Sequence, residues 1–485
     1  MAKIVNTYFN WNDIEDEARL SAMRHGLAVR RQDPNTNRSY FENLSITLFP
    51  SNVDRNNFNL AMDMQLPINA MMNNIGNDHN FVKTVLNDLL QVDEFTSKLY
   101  NIDRKIRKEG IAADHALGLF RSDYIIDKYN LLKQVEINAI SVSFAGLAPS
   151  IEQFHRYTMK QFKNYTDTEL DEAIPKNESL KNIAQALIDS HQIYGKSNSA
   201  VLVVIEKNVI NIMDQKAIEW KIRELSNDSI RIHRRAFHEL DNHLFLGPNK
   251  ELMLNIVNNQ NQVQKTEISI VYFRTAYSPI DFEYENSWDI RLLIEQSRAI
   301  KCPSAAFQLA GVKKFQSVLN DETILKKYIN VEYSHLMNNI WKTFMPFYPV
   351  NDANLKLLDQ KPLGFVLKPN REGGGNNYFG YDVRPKYLKI MESDEAKAYT
   401  LMEYIDQPTV NGYILKPSSK LVEQQPGIEI KTELGVFGAI LASTKTNELK
   451  FNRNIGHLLR SKSATSDETG VMAGDGALDS PYLTL

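Results

Sequence analysis

One cysteine in 485 residues, Cys302, excludes an intramolecular disulfide and any multi-thiolate metal site built by a single chain. Such usage suits a reducing compartment. A surplus of one charge is missing too. The 56 Lys and Arg stand against 59 Asp and Glu, a net charge of -3, which offers no general electrostatic footprint for nucleic acid or an anionic membrane. A charged ligand must therefore be met locally. Long apolar runs are also lacking: AVLVVI (Ala200–Ile205) is strand-sized, far below the roughly 20 residues that span a bilayer. The first twenty residues contain Asp13, Glu15, Asp16 and Glu17 and no long apolar core, unlike a secretory signal or a mitochondrial presequence. These absences predict a soluble cytoplasmic protein, large enough for two or three coupled lobes.

What is present alternates between helical and strand patterns. Residues 11–30 and 80–108 space apolar side chains at i, i+3, i+4 with charged faces between, as amphipathic helices do. Short β-rich runs follow at 116–127, 134–144, 200–206, 269–274, 364–369, 398–404 and 435–441. The predicted class is mixed α/β. Residues 160–199 are polar and punctuated by Gly195, a candidate boundary before a strand–helix–strand segment at 200–311.

Three familiar motifs fail on inspection. SHQIYGKS (190–197) puts Ser190 where a phosphate-binding P-loop needs its first glycine. HELDNH (238–243) spaces its histidines five apart, which does not place two ligands on one helical face. GVMAGDGALD (470–479) lacks the third glycine and the preceding strand of a dinucleotide-binding turn.

Two other stretches carry chemistry. In QVEINAISVSF (134–144), period-two alternation predicts Glu136, Asn138 and Ile140 on one strand face, with Ser141 and Ser143 on the other. A carboxylate and an amide oxygen two residues apart on a strand suit one hard cation such as Mg²⁺. A solvated edge strand would show the same pattern. In KPNREGGGNN (368–377), Lys368 ends a strand, Glu372 follows a short turn, and Gly373, Gly374 and Gly375 leave a bare backbone before Asn376 and Asn377. Such a backbone can lie against a polyphosphate. A glycine-rich loop alone equally suits a mobile turn; Lys368, Glu372, Glu403 in LMEYI and Glu433 in TELGVFG strengthen the nucleotide reading.

With LGLFRSDYIID, NIMDQKAIE, VYFRTAYSP, KCPSAAFQLAGVKK and GHLLRSK added, the chain from about residue 116 onward resembles eukaryotic glutathione synthetases, members of the ATP-grasp superfamily. The resemblance implies an ATP-grasp fold with an inserted three-layer α/β substrate-binding domain and a mobile lid. It places the ATP-grasp body at 1–199 and 312–485, the insertion at 200–311, the lid at about 360–410 and an acceptor loop at about 465–478. The implied reaction joins γ-glutamylcysteine to glycine through an acyl phosphate, giving glutathione, ADP and phosphate. Related ligases take β-alanine or serine instead, and a silent glutathione-binding protein is the alternative from another class.

Position by position, the resemblance implies Glu136, Asn138 and Glu372 as ligands of a pair of Mg²⁺ ions. It implies Lys313, Lys368, Glu372, Gly373 to Asn377, Met402, Glu403, Ile405, Glu433 and Lys462 around ATP. Arg121, Ser141, Ser143, Asn211, Gln215, Arg274, Tyr277 and Arg460 are implied around the dipeptide, with Arg460 and Arg121 at the reacting carboxyl. Val471 and Met472 stand near the acceptor, and a homodimer is implied, with no nucleic-acid or membrane partner. Departures from the family pattern are Val209 and Ile210 in place of an acid and a base, Tyr378-Phe379 after the glycine block, and Met472 in place of a small residue.

Overall fold

The structure, a computed structural model, describes residues 9–370, 377–417, 420–424 and 427–485. A mostly antiparallel sheet runs through strands Ile414–Leu415, Ile46–Thr47, Gly476–Asp479, Leu449–Ser463, Ile428–Ser443, His115–Ile126 and Leu132–Asn138, in that spatial order. Helices cover both faces. Leu117, Leu119, Phe437 and Ala439 share one core with helices Trp11–Arg24, Ala148–Lys163 and Ser179–Tyr194. Phe120, Tyr124, Val436 and Ile440 share another with Arg55–Asn77 and Glu94–Glu109. Burial on both faces explains why these strands are apolar nearly throughout.

The second sheet orders Arg231–Ala236, Ala200–Ile205, Val263–Phe273, Leu252–Val257 and Leu244–Leu246, with Ile300–Cys302 also pairing to Val263–Phe273. Its first three strands are parallel, and helix Ile212–Leu225 makes the crossover. Val201 and Val203 enter the first core while Ala200, Leu202 and Val204 enter a third, so AVLVVI is a doubly buried strand. A third, small sheet of Phe347–Pro349, Tyr399–Glu403 and Phe365–Pro369 is backed by helices Asp352–Gln360 and Val383–Met391 around Leu358, Tyr387 and Ile390. Met345, Met402 and Ile405 join it to Ile125 and Val135 of the main body.

Two expectations change. The helix expected over 11–30 stops at Arg24, because Gly26 turns the chain at φ +73° and Ala28–Gln32 becomes a strand. The helix expected over 80–108 is broken between His79–Leu86 and Glu94–Glu109, the second starting where Asp93 caps the Thr96 N–H. The polar stretch 160–199 contains helices Asp167–Ala173 and Ser179–Tyr194, the latter burying Ile183, Ala184 and Leu187 in the first core. Among the described residues no helix is long and apolar enough to cross a membrane.

Candidate active site

Strand register lines up the polar residues. Arg121 lies opposite Asn138 and Asp123 opposite Glu136 across one strand pair, and Glu433 lies opposite Arg460 and Lys431 opposite Lys462 across another. Arg121 and Asp123 continue the face on which Leu117 and Leu119 are buried, past the edge of the core. Arg121 Nε and Nη2 donate to the two Asp123 oxygens, each at 2.7 Å. Arg460 Nη2 donates to Asp123 Oδ2 at 3.1 Å and to Glu433 Oε1, and Asn138 Nδ2 donates to Asp123 Oδ2 at 2.9 Å. The result is a ladder of alternating charge across three strands. Gly435 sits opposite Asp123, where a Cβ would come within 3.0 Å of Asp123 Oδ1.

Lys313 Nζ reaches Glu136 Oε2 at 3.1 Å. Burial opposes ionisation of Glu136, yet Lys313, Lys368 and Arg121 together hold its carboxyl far below the usual carboxylate range. Lys368, on strand Phe365–Pro369, is buried, and its ammonium finds no hydrogen-bond acceptor among the described residues. Burial lowers it to about 8, against the pull of Glu136. Burial likewise opposes the Arg460 charge, but Glu433 and Asp123 hold that guanidinium protonated.

These groups face a cavity of about 560 Å³. An adjoining pocket of about 100 Å³ shares Lys368, Asn377, Glu433 and Glu468 with it and adds an apolar slot of Val366, Met402 and Ile405, edged by Glu403 and Lys462. Asn377 Nδ2 donates to Glu468 Oε1 at 3.1 Å. Tyr348 donates to Glu403 Oε1 at 2.9 Å, and Lys462 Nζ donates to the Asp467 carbonyl. Glu372, Gly373, Gly374, Gly375 and Asn376 lie outside the described residues.

At the other end of the cavity the sequence expectation is corrected. The strand ends at Asn138, so Ile140, Ser141 and Ser143 do not alternate on it. Ser141 (φ +52°) and Phe144 (φ +75°) are left-handed, as is Ala276 (φ +70°) beside Tyr277. Such conformations cost non-glycine residues free energy and persist where surroundings impose them. Around Phe144, Asp214 supplies such surroundings. Its Oδ2 accepts from Phe144 N at 2.9 Å, Asn211 Nδ2 at 3.1 Å and Arg274 Nη2 at 3.3 Å, and its Oδ1 accepts from Gly146 N at 2.8 Å. Arg274 Nη2 also donates to Ser143 Oγ at 3.1 Å, and Gln215 Oε1 accepts from Arg234. Tyr277 lines the same end, its phenol pushed up to about 12 by burial. Val471 and Met472 form part of the wall and are anchored in the first core. The loop expected over 465–478 ends earlier, since strand Gly476–Asp479 has begun.

The structure thus brings to one cavity and its annex every predicted site residue that it describes. Sequence reasoning missed Asp123, Asp214, Glu206 and Glu468. Asp123 had a signal, since RSDY places it two residues from Arg121 on a strand. Asp214 and Glu468 gain meaning through partners distant in sequence, such as Arg274 and Asn377, and Glu206 only through its place on the cavity wall.

Among the described residues no three His, Cys, Asp or Glu side chains converge on a metal position. Glu136 and the Asn138 carbonyl, whose amide N–H is spent on Asp123, are hard oxygen donors on one strand face, the chemistry Mg²⁺ prefers.

A cavity lined by closely paired cations and carboxylates beside an apolar slot, in a mixed α/β fold, is a site for a charged ligand with an apolar part. Comparison with known proteins narrows this class. A family model described as eukaryotic glutathione synthase, ATP binding domain, matches residues 10–483. Similar chains include a glutathione synthetase of Dictyostelium discoideum, 34% identical with 97% of this chain and 99% of that one covered, and one of Homo sapiens, 33% identical with 95% and 94% covered. The chain belongs to the eukaryotic glutathione synthase family and is a ligase of glutathione biosynthesis that uses ATP. The solved structure of a glutathione synthetase-like effector (GSS30) from Globodera pallida, in apo form, shares the fold: TM-score 0.74, 20% identity, 97% of this chain and 96% of that one covered.

Proposed function

We propose that this chain ligates γ-glutamylcysteine to glycine with ATP and Mg²⁺. The cysteinyl carboxylate attacks the γ-phosphate, ADP departs, and the glycine amine then displaces phosphate from the acyl phosphate. The observation that carries this reading is the wall of Arg121, Lys313, Lys368 and Arg460 on one cavity, with Lys368 buried and unmatched by any acceptor among the described residues. An anionic nucleophile approaching an anionic triphosphate needs such a wall, and fixed cations inside a partly closed site stabilise the transition state better than water does.

In this assignment the apolar slot of Met402 and Ile405 takes adenine, with Glu403 and Glu433 at its edge. Lys313, Lys368, Lys462 and Asn377 face the phosphates, together with Glu372, Gly373, Gly374, Gly375 and Asn376. Glu136, Asn138 and Glu372 would hold Mg²⁺, which supplies charge neutralisation on the phosphate oxygens when bound. Arg460 and Arg121 orient the reacting carboxylate. Ser141, Ser143, Asn211, Gln215, Arg274 and Tyr277 hold the dipeptide, while Val471 and Met472 border the acceptor. Residues 200–311 act as the substrate-binding domain, and about 360–410 as the lid. We also place the protein in the cytoplasm as a homodimer.

Phosphate release measured while omitting one substrate at a time tests the reaction. Release is expected only with ATP, Mg²⁺, γ-glutamylcysteine and glycine together, and more slowly with β-alanine or serine. Release that ignores the dipeptide, or a preference for β-alanine, would refute it.

A further inference from the structure

A second cavity, of about 620 Å³, opens beside the apolar slot and shares Glu403, Tyr404 and Ile405 with it. One wall belongs to the main body: Lys133 on strand Leu132–Asn138, with Trp341 and Lys342 on helix Met337–Thr343. The facing wall belongs to the small sheet and its helices, through Lys361 after helix Asp352–Gln360 and Glu403 on strand Tyr399–Glu403. Strand alternation sets this cavity apart from the catalytic one. Leu132 and Gln134 are buried, so Lys133 shares a face with Val135, which lines the slot. Glu136, the partner of Lys313, comes three residues further along the strand. Lys133 thus stands beyond the slot from the wall that faces the phosphates.

The carboxylates of the second cavity are already engaged. Asp127 accepts from the Tyr129 and Leu131 N–H groups at 2.9 Å each, Asp406 pairs with Lys128 at 2.9 Å, and Glu403 accepts from Tyr348 at 2.9 Å. Three ammoniums are left over. That of Lys133 donates to the Lys342 carbonyl at 3.2 Å, while those of Lys342 and Lys361 meet no acceptor among the described residues. A lone surface lysine needs only water. Three lysines lining one concavity without an acid to balance them attract an anion, and the low-dielectric walls focus their field. Fixed aromatic rings accompany them. The Trp341 indole N–H donates to the Asn320 carbonyl at 2.8 Å, and the Tyr404 hydroxyl accepts from Lys431 at 3.1 Å.

We propose that this cavity is a second anion site, separate from the catalytic one, for a ligand carrying two or more linked phosphate groups, held by Lys133, Lys342 and Lys361. The volume suits a ligand of nucleotide size, and the surplus charge suits more than one phosphate. A nucleoside diphosphate and free polyphosphate share that chemistry. Either one ties the small sheet to the main body beside the strand that edges the apolar slot.

Calorimetry on the full chain, with the catalytic site saturated by a non-hydrolysable ATP analogue and Mg²⁺ in excess, tests the site with tripolyphosphate as the probe. Wild type is expected to take up a single equivalent. The double variant Lys133→Gln, Lys342→Gln should bind it about 10-fold or more weakly, the scale of lost charged hydrogen bonds, while its ligase rate and KM for ATP stay at wild-type values. ADP in place of tripolyphosphate separates the two sources: tighter ADP assigns Trp341 and Tyr404 to a base, and tighter tripolyphosphate assigns the site to the free chain. Equal binding of tripolyphosphate by wild type and variant overturns the proposal. So does a saturated wild type that binds none, a result that does not depend on the variant folding. Titration of the ATP analogue alone reads the nucleotide assignment separately, because its failure leaves the comparison of wild type with variant intact.

Discussion

Lys368 carries the clearest pH signature among single side chains. Its ammonium stands near 8 in the free protein because burial penalises the charge. The protonated form meets phosphate, so kcat/KM for ATP should fall as pH rises through about 8. Lys368→Gln should lose that basic limb and about 10²-fold in kcat/KM, the scale of one removed electrostatic stabiliser. Initial-rate profiles from pH 6 to 9.5 check both. At this scale the sequence was legible where chemistry repeats locally. Lys368, Glu136 and Asn138 stand out because polar groups interrupt apolar strands. Asp214 did not, because it acts by joining Phe144 and Arg274, 70 and 60 residues away, to its near neighbour Asn211, and no local pattern records such distant contacts.

Elements place these groups, and two predictions belong to them. The loop after Asn138 is pulled against Asp214 through Gly146, where an added Cβ would lie 2.3 Å from the Asp214 carbonyl oxygen. Gly146→Ala should therefore destabilise the fold by about 1–3 kcal/mol and raise KM for γ-glutamylcysteine more than KM for ATP, as urea unfolding and initial rates would show. Buried histidines set the acid limb of stability. Burial lowers His155, held between Thr47 and Ser480, and His457, packed on Phe58, each to about 3. Between about pH 3 and 6.5 the unfolded chain binds more protons than the folded one. Stability then rises with pH by up to roughly 1.4 kcal/mol per unit per histidine. Asp479, raised by burial to about 6, acts with the opposite sign between about 4 and 6. His457→Phe should flatten the urea midpoint's dependence on pH. The seven β-rich runs read from the sequence are all strands with shifted ends, whereas Ala28–Gln32, Leu449–Ser463 and Gly476–Asp479 were not read as strands. The early stop at Asn138 escaped notice because Ser141 and Phe144 take left-handed backbones that their residue types do not announce.

On the scale of the whole molecule, the cavity lies where separate cores meet, and the small sheet touches the body through Met345, Met402 and Ile405. A ligand that contacts both Lys368 and Glu136 bridges two bodies. A non-hydrolysable ATP analogue with Mg²⁺ at about 100 times its Kd should stabilise the fold by roughly 2.7 kcal/mol, seen as a rise in Tm that EDTA diminishes. Family and fold class were legible from ordered motifs beyond residue 116. The main sheet's outer strands Ile46–Thr47 and Ile414–Leu415 were not, being two residues long and stable only through partners.

The ladder Arg121–Asp123–Arg460–Glu433 has an evolutionary corollary. Its rungs come from three strands and neutralise one another in alternation, so replacing one rung alone strands an odd charge in a buried place. Such positions drift in concert or not at all. Among relatives, an altered residue at 433 should be accompanied by a compensating one at 460, and a solitary change at 123 should mark a copy that has abandoned catalysis.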